Sequence, residues 1–250
     1  MGITNETYYE MDKYMTVSQF KKFKKCELDA LNPFDNTNRS MPLMVGSYVD
    51  AYIEGTLDEF VEHNPDIYLK SGKNKGELKA DFKQADLICE FIDRDKVFSQ
   101  FMSGEKQGVY TGEIAGVPFK IKMDSYSPHV AINDLKVMRT VTDNWGNYID
   151  FITPWGYDTQ MAVYQEIIFQ NTGERLPTYI SAVTKETPTN SVIVNIPQDY
   201  LNRALYDVES NVQHFYDVKM GRVEPVGCGV CPTCIVARRT TKIISMEDLV

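Results

Sequence analysis

Asp124 closes the apolar run Phe119-Lys120-Ile121-Lys122-Met123-Asp124, and Asp134 and Lys136 stand in the next one, Ile132-Asn133-Asp134-Leu135-Lys136. Alternate residues on a strand face the same way, so Asp134 and Lys136 project together while Leu135 points into the core. A return through Ser125-Tyr126-Ser127-Pro128-His129 carries turn-forming residues and would bring Asp124 alongside them. Two carboxylates with a backbone carbonyl close by make a hard, all-oxygen site of the kind that Mg2+ or Mn2+ takes. A metal alone has no use for the lysine. Phosphodiester hydrolysis does, because a cation there holds the attacking water and offsets charge growing on the phosphate. The same triplet also arises as a solvated turn beside a chance Asp-x-Lys, and by itself it leaves that alternative open.

The cysteines form a second constellation. Three of the five fall in Cys228-Gly229-Val230-Cys231-Pro232-Thr233-Cys234. C-x2-C-x2-C is close to the leading part of a ferredoxin-like motif, and thiolates at that spacing can wrap a soft group, an iron-sulfur cluster or Zn2+. A fourth ligand must come from elsewhere. Cys26 is the natural candidate, since Cys89 lies in an apolar helical segment and reads as core. Such a clasp would tie the two ends of the chain together. The alternative is a set of reduced, unligated thiols in a cytosolic protein; a disulfide has the least support.

These groups need a scaffold, and the chain supplies one. Its 250 residues suffice for one large domain, and 43% apolar with 12% aromatic content is a globular composition rather than a disordered one. No apolar stretch approaches the ~20 residues of a membrane span. The start Met1-Gly2-Ile3-Thr4-Asn5-Glu6 lacks a cationic and then apolar leader, and Glu6 stands where a myristoylation signal wants Ser or Thr. A soluble intracellular protein is expected. The formal charge of -9 argues against nonspecific coating of nucleic acid by the whole surface. Basic residues nevertheless cluster at Lys21, Lys22, Lys24 and Lys25, at Lys70, Lys73, Lys75, Lys79 and Lys83, and at Arg238, Arg239 and Lys242. Each cluster reads as a solvated helix face or as part of one channel for a polyanion.

Thr16 or Ser18 can cap a helix through Phe20, Phe23 and Leu28, with Pro33 beyond its end. A second helix is expected from Met44 to Glu59, with Asp50 and Glu54 one turn apart, and a long one from Asp81 to about Phe101; the Lys70 to Lys79 stretch between them reads as a mobile loop. Strands follow at Gly108 to Glu113, Val117 to Asp124 and Ala131 to Met138. After Pro154 comes a helix that stacks Gln160 on Tyr164 and stops at Gly173. Strands at Tyr179 to Val183 and Ser191 to Ile196 precede an amphipathic helix from Gln198 to Gly221. The expected fold class is α/β, a central mixed sheet flanked by helices.

In this order the pieces resemble the PD-(D/E)XK nuclease superfamily, and within it the phage RecE-like and lambda-exonuclease-like recombination exonucleases. The Thr16 to Glu27 segment is similar to the family's Ser-rich opening helix leading to a Cys, and Gly46 to Glu54 to its motif I helix. Asp124 matches the motif II acid, Asp134-Leu135-Lys136 the D/E-x-K signature, Gln160-x3-Tyr164 the Gln/Tyr motif, and the Cys-rich tail a terminal cluster of some branches. The motif I helix of those branches usually offers a His, where this chain has Asp50. The resemblance implies a restriction-endonuclease-like core in a single domain over 1–250. Its parts would be a helical region to about 105, a catalytic core from about 106 to 200, and a helix with the Cys-rich tail from about 201. It implies that Asp50, Asp124, Asp134 and the Leu135 carbonyl hold one or two Mg2+ or Mn2+ ions, with Glu54 in reserve, that Lys136 is catalytic with Gln160 and Tyr164 beside it, and that Ser18 and Lys21 hold a 5′ phosphate. The implied activity is 5′-to-3′ degradation of one strand of linear duplex DNA, leaving 3′ overhangs for a phage single-strand annealing protein (RecT-like). A ring-forming homo-oligomer in the cytoplasm of the bacterial host is implied with it. The alternatives are a nuclease fold that grips DNA ends without cutting, or a nuclease of other polarity.

Overall fold

The computed structural model describes residues 8, 11–34, 40–238 and 245–248. The leader reading at Met1 to Glu6, and Arg239 and Lys242 of the last basic cluster, lie outside them.

Thr16 caps α1 (Val17–Lys25) through a capping box in which its hydroxyl accepts from Gln19 N while the Gln19 side chain accepts from Thr16 N. The expected continuation through Leu28 is broken at Cys26, whose extended backbone ends α1 and opens α2 (Glu27–Leu31). Two other helices are likewise divided. The run expected over Met44 to Glu59 starts earlier as α3 (Met41–Glu54) and stops at Gly55, whose left-handed φ of 75° terminates it before α4 (Leu57–His63). The run expected to Phe101 becomes α5 (Ala80–Arg94) and α6 (Lys96–Phe101). Asp95 divides them, because its carboxylate accepts from Val97 N and Phe98 N and so starts a new helix. A charged residue inside a helical pattern is silent in periodicity but decisive as a cap. The Lys70 to Lys79 stretch is a closed turn, pinned by Leu69 N to Glu77 O and Gly76 N to Leu69 O.

Strands β1 (Gly108–Ile114) and β2 (Val117–Met123) form an antiparallel hairpin. Its turn uses Ala115 and Gly116, both at positive φ. The chain passes through Asp124 into β3 (Ser125–Ser127), which pairs antiparallel with β4 (Ala131–Met138). Helix α7 (Tyr157–Thr172) crosses over from β4 to β5 (Thr178–Thr184), so these two strands pair in parallel, and β6 (Ser191–Asn195) adds antiparallel. The result is a mixed sheet in the order β3-β4-β5-β6, with the β1-β2 hairpin beside it. Helices α8 (Gln198–Lys219) and α9 (Pro232–Ala237) complete the main elements.

Two apolar clusters bury the two faces of the sheet. Ile132 and Ile180 join Phe20, Phe119, Met161, Ile167, Val208 and Phe215 under α1, α7 and α8. Leu135 and Val183 join Val49, Phe82, Ile88 and Phe98 under α3, α5 and α6. The alternation along β4 therefore sends Ile132, Asp134 and Lys136 toward α7 and Leu135 toward α3. No helix among the described residues is long and apolar enough to cross a membrane.

Candidate functional site

Asp124 sits at the junction of β2 and β3, one step beyond the residues that pair with β1. Its Oδ2 accepts from the backbone N–H of Leu135 at 2.9 Å, which fixes the acid against the middle of β4. Asp134 is 1% exposed, and its Oδ1 accepts from Gln160 Nε2 at 2.8 Å. The same Nε2 reaches the Tyr164 hydroxyl at 3.0 Å, and that hydroxyl donates to the Lys122 carbonyl at 2.8 Å. One turn of α7 thus clamps β4 to β2. The other Asp134 oxygen, Oδ2, forms an ion pair with Lys136 and has no hydrogen-bond partner otherwise. Lys136 in turn lies over the Tyr157 ring, 5.1 Å from its centre.

Asp50, on α3, completes the group from the opposite side of the cleft. It lines a cavity of about 540 Å3 together with Ser47, Leu135, Lys136 and Tyr157. A second cavity, of about 460 Å3, runs from Asp50 to Glu54 and Lys122. Burial pushes Asp50 up to about 7, and the negative charges of Asp134 and Glu54 push the same way against Lys136 and Lys122. Asp124 is raised as well, by burial first and then by Asp134 and Asp50. For Lys136 burial favours the neutral amine, but Asp134 and Asp124 outweigh it and its pKa is raised. Three carboxylates facing one ammonium leave an excess of negative charge in a recessed place. A divalent cation would relieve it. The donor set is oxygen only and so suits Mg2+ or Mn2+, and Asp134 Oδ2 is engaged by nothing but its ion pair with Lys136; unlike Cys26, Cys228, Cys231 and Cys234, these acids do not already bring their ligand atoms within 4.8 Å of one another.

Glu54 stands apart from this centre, bonded to Gln107 Nε2, with burial raising its pKa. Ser18 and Lys21 lie on the other side of Gln160, where they line a small cavity with Tyr164 and Lys120. Lys21 donates to the Trp155 carbonyl at 2.8 Å, and burial and then Lys136 lower its pKa. Two contributors escaped the sequence reading. Lys122 shares the β2 face of Asp124, and Tyr157 sits one turn before Gln160; alternation and helical spacing carried both signals.

The cysteine constellation is also assembled. Cys26, Cys228, Cys231 and Cys234 place their sulfurs within 4.8 Å of one another, while Cys89 is buried in the helical core. The Cys26–Cys234, Cys231–Cys26 and Cys228–Cys234 separations are 3.5, 3.7 and 3.9 Å. A tetrahedral ion with metal–sulfur bonds of ~2.3 Å puts its sulfurs ~3.8 Å apart. The N–H groups of Val230 and Cys231 pull the Cys228 thiol down to about 6, so a thiolate is available at neutral pH.

Residues 16–237 match the family described as a PDDEXK-like domain of unknown function (DUF3799). Among solved structures, a "putative exonuclease" from Eubacterium rectale is 46% identical, covers 100% of this chain and 98% of its own, and superposes with a TM-score of 0.88. The structure of SSO0001 is 12% identical over 77% of this chain and 84% of its own, at a TM-score of 0.30. No curated protein matches the chain.

Proposed function

The chain belongs to the PDDEXK-like family DUF3799, and on that premise we propose that it is a divalent-metal-dependent exodeoxyribonuclease. The observation that carries this reading is the Asp134–Lys136 pair oriented by Gln160, with Asp124 bonded to Leu135 N between them and Asp50 lining the adjoining cavity beside Lys136. The 46% identity to a protein described as a "putative exonuclease" supports the exonucleolytic mode.

Asp50, Asp124, Asp134 and the Leu135 carbonyl would hold one or two Mg2+ or Mn2+ ions. Such ions polarise a phosphate and lower the pKa of water. The chain's own residues do the rest. Lys136, kept charged by Asp134 and Asp124, holds the attacking water and stabilises charge on the phosphoryl oxygens. Gln160 and Tyr164 keep Asp134 in place. Tyr157 supports the Lys136 ammonium from below. Lys21 and Ser18 are the phosphate contacts nearest the centre.

The resemblance read from the motifs extends this to 5′-to-3′ digestion of one strand of linear duplex, overhangs handed to a phage annealing protein, and a ring of identical subunits in the bacterial cytoplasm. For the cysteines, the sulfur separations support a single tetrahedral ion such as Zn2+ over the wider cage of an iron-sulfur cluster. The clasp would join α1 to the segment after α8.

Duplexes labelled at either the 5′ or the 3′ end, with and without a 5′ phosphate, test the finer reading beside covalently closed circles. Early release of the 5′ label and intact circles are expected. Early loss of the 3′ label would reverse the polarity, and cut circles would remove the exonuclease assignment while keeping the nuclease.

A further inference from the structure

Lys21 lines another cavity, of about 620 Å3, between α1, the segment before α7, and α8. Its walls carry Lys21, Lys24 and Lys25 from α1, Trp155, and Tyr200 and Arg203 from α8. Two carboxylates share the lining, Asp158 and Asp207, and Asp207 is paired with Lys24 at 2.5 Å. Cations therefore outnumber acids here, on a chain whose formal charge is -9.

The aromatic rings are presented rather than buried. Trp155 is 62% exposed and Tyr200 48%. The Arg203 guanidinium stacks on Tyr200 with 4.4 Å to the ring centre. Trp155 is held in place from behind: its carbonyl accepts from Lys21, and the lysine stem packs so closely over Gly156 that a Cβ there would lie 3.0 Å from Lys21 Cδ. Gly156, at φ 63°, supplies both the conformation and the clearance. Flat exposed rings among cations are what an unpaired strand uses, bases on the rings and phosphates on the cations. The cavity is also next to the cleft. Lys21 and Lys136 lie over the same Tyr157 ring, at 5.5 and 5.1 Å.

We propose that this cavity receives an unpaired nucleotide of the strand being cut, its base against Trp155 and Tyr200 and its phosphates near Lys25 and Arg203. This rests on the nuclease reading and adds to it that the end of the substrate is unstacked before hydrolysis, as enzymes that must reach one nucleotide require.

The chain has two tryptophans, so Trp145→Phe leaves Trp155 as the only indole emitter. In EDTA, a 5′-phosphorylated oligothymidylate of about eight nucleotides, a length within one single-strand site, is expected to quench that emission. The same backbone with abasic positions should bind at least fivefold more weakly. Trp155→Ala, read by anisotropy with a labelled oligonucleotide, should bind both equally and the thymidylate at least fivefold more weakly than the parent, with thermal unfolding unchanged. Equal binding of the two oligonucleotides by the parent, no binding at all, or an unaltered Trp155→Ala would overturn the proposal. Parallel digestion of linear duplex with Mn2+ separates the cases: base-independent binding with digestion intact removes this inference alone, whereas no digestion removes the nuclease reading beneath it.

Discussion

Gln160 donates one hydrogen bond to Asp134 Oδ1 at 2.8 Å, and thereby leaves Oδ2 of that acid to its ion pair with Lys136. Groups that orient a metal-binding carboxylate typically control ~10–100-fold in affinity or rate. Gln160→Ala should therefore lose about that much activity, and added Mn2+ should recover part of it. A calorimetric Mn2+ titration beside the rate measurement checks this, and unchanged affinity with unchanged rate would refute the orienting role.

The role proposed for Lys136 is different, a charge for the reaction rather than a support for the metal. Lys136→Met is expected to lose ~10²–10³-fold in rate, the scale of a transition-state charge stabiliser. Its Mn2+ affinity should stay equal or rise, because Asp134 loses its competing cation. A fall in metal affinity matching the fall in rate would show that the lysine supports the ion site instead.

The raised pKa of Asp50 gives a pH signature. A carboxyl held at about 7 in the folded chain keeps its proton where the unfolded chain, near ~4, has lost it. Its contribution to the stability of metal-free protein is thus present below about 4 and lost as pH rises to about 7. Asp124 moves in the same direction. A divalent ion needs the anions, so stabilisation by Mn2+ should grow across the same window. Melting temperatures in EDTA and in Mn2+ should differ more at pH 8 than at pH 5.5. A gap independent of pH would contradict the placement of these acids.

The cysteine clasp should carry one ion per chain. Removing it with a chelator, or Cys231→Ser, is expected to lower the melting temperature, since binding only to the folded clasp adds directly to stability. Cys89→Ala should keep the full metal content at a cost of about 1 kcal/mol for the lost side chain. Elemental analysis distinguishes one Zn2+ from the several irons of a cluster. Protein free of both, with unchanged unfolding on Cys231→Ser, would leave the thiols unligated.

Much of this arrangement was legible because it follows strand alternation. Asp134 and Lys136 share a face by spacing alone, Leu135 necessarily takes the other, and the turn at Ser127 to Val130 brings Asp124 back to them. The helix divisions at Cys26, Gly55 and Asp95 were not legible, because each depends on a cap or a left-handed residue within a continuous apolar pattern. Glu54 and Asp50 share a helix stripe, yet only the packing of α3 against β4 directs Asp50 into the cleft and leaves Glu54 with Gln107. The groove at Trp155 was out of reach for the same reason. Its walls come from α1 and α8, far apart in the chain.

Release of nucleotides from a linear duplex by wild-type protein and by Asp134→Ala, each with Mn2+ and with EDTA, bears most directly on the claim that these acids hold the ion that cuts DNA. The expected result is digestion by wild type in Mn2+ alone, with Asp134→Ala still binding the duplex but releasing nothing above background. Digestion in EDTA, or by Asp134→Ala at the wild-type rate, would contradict it.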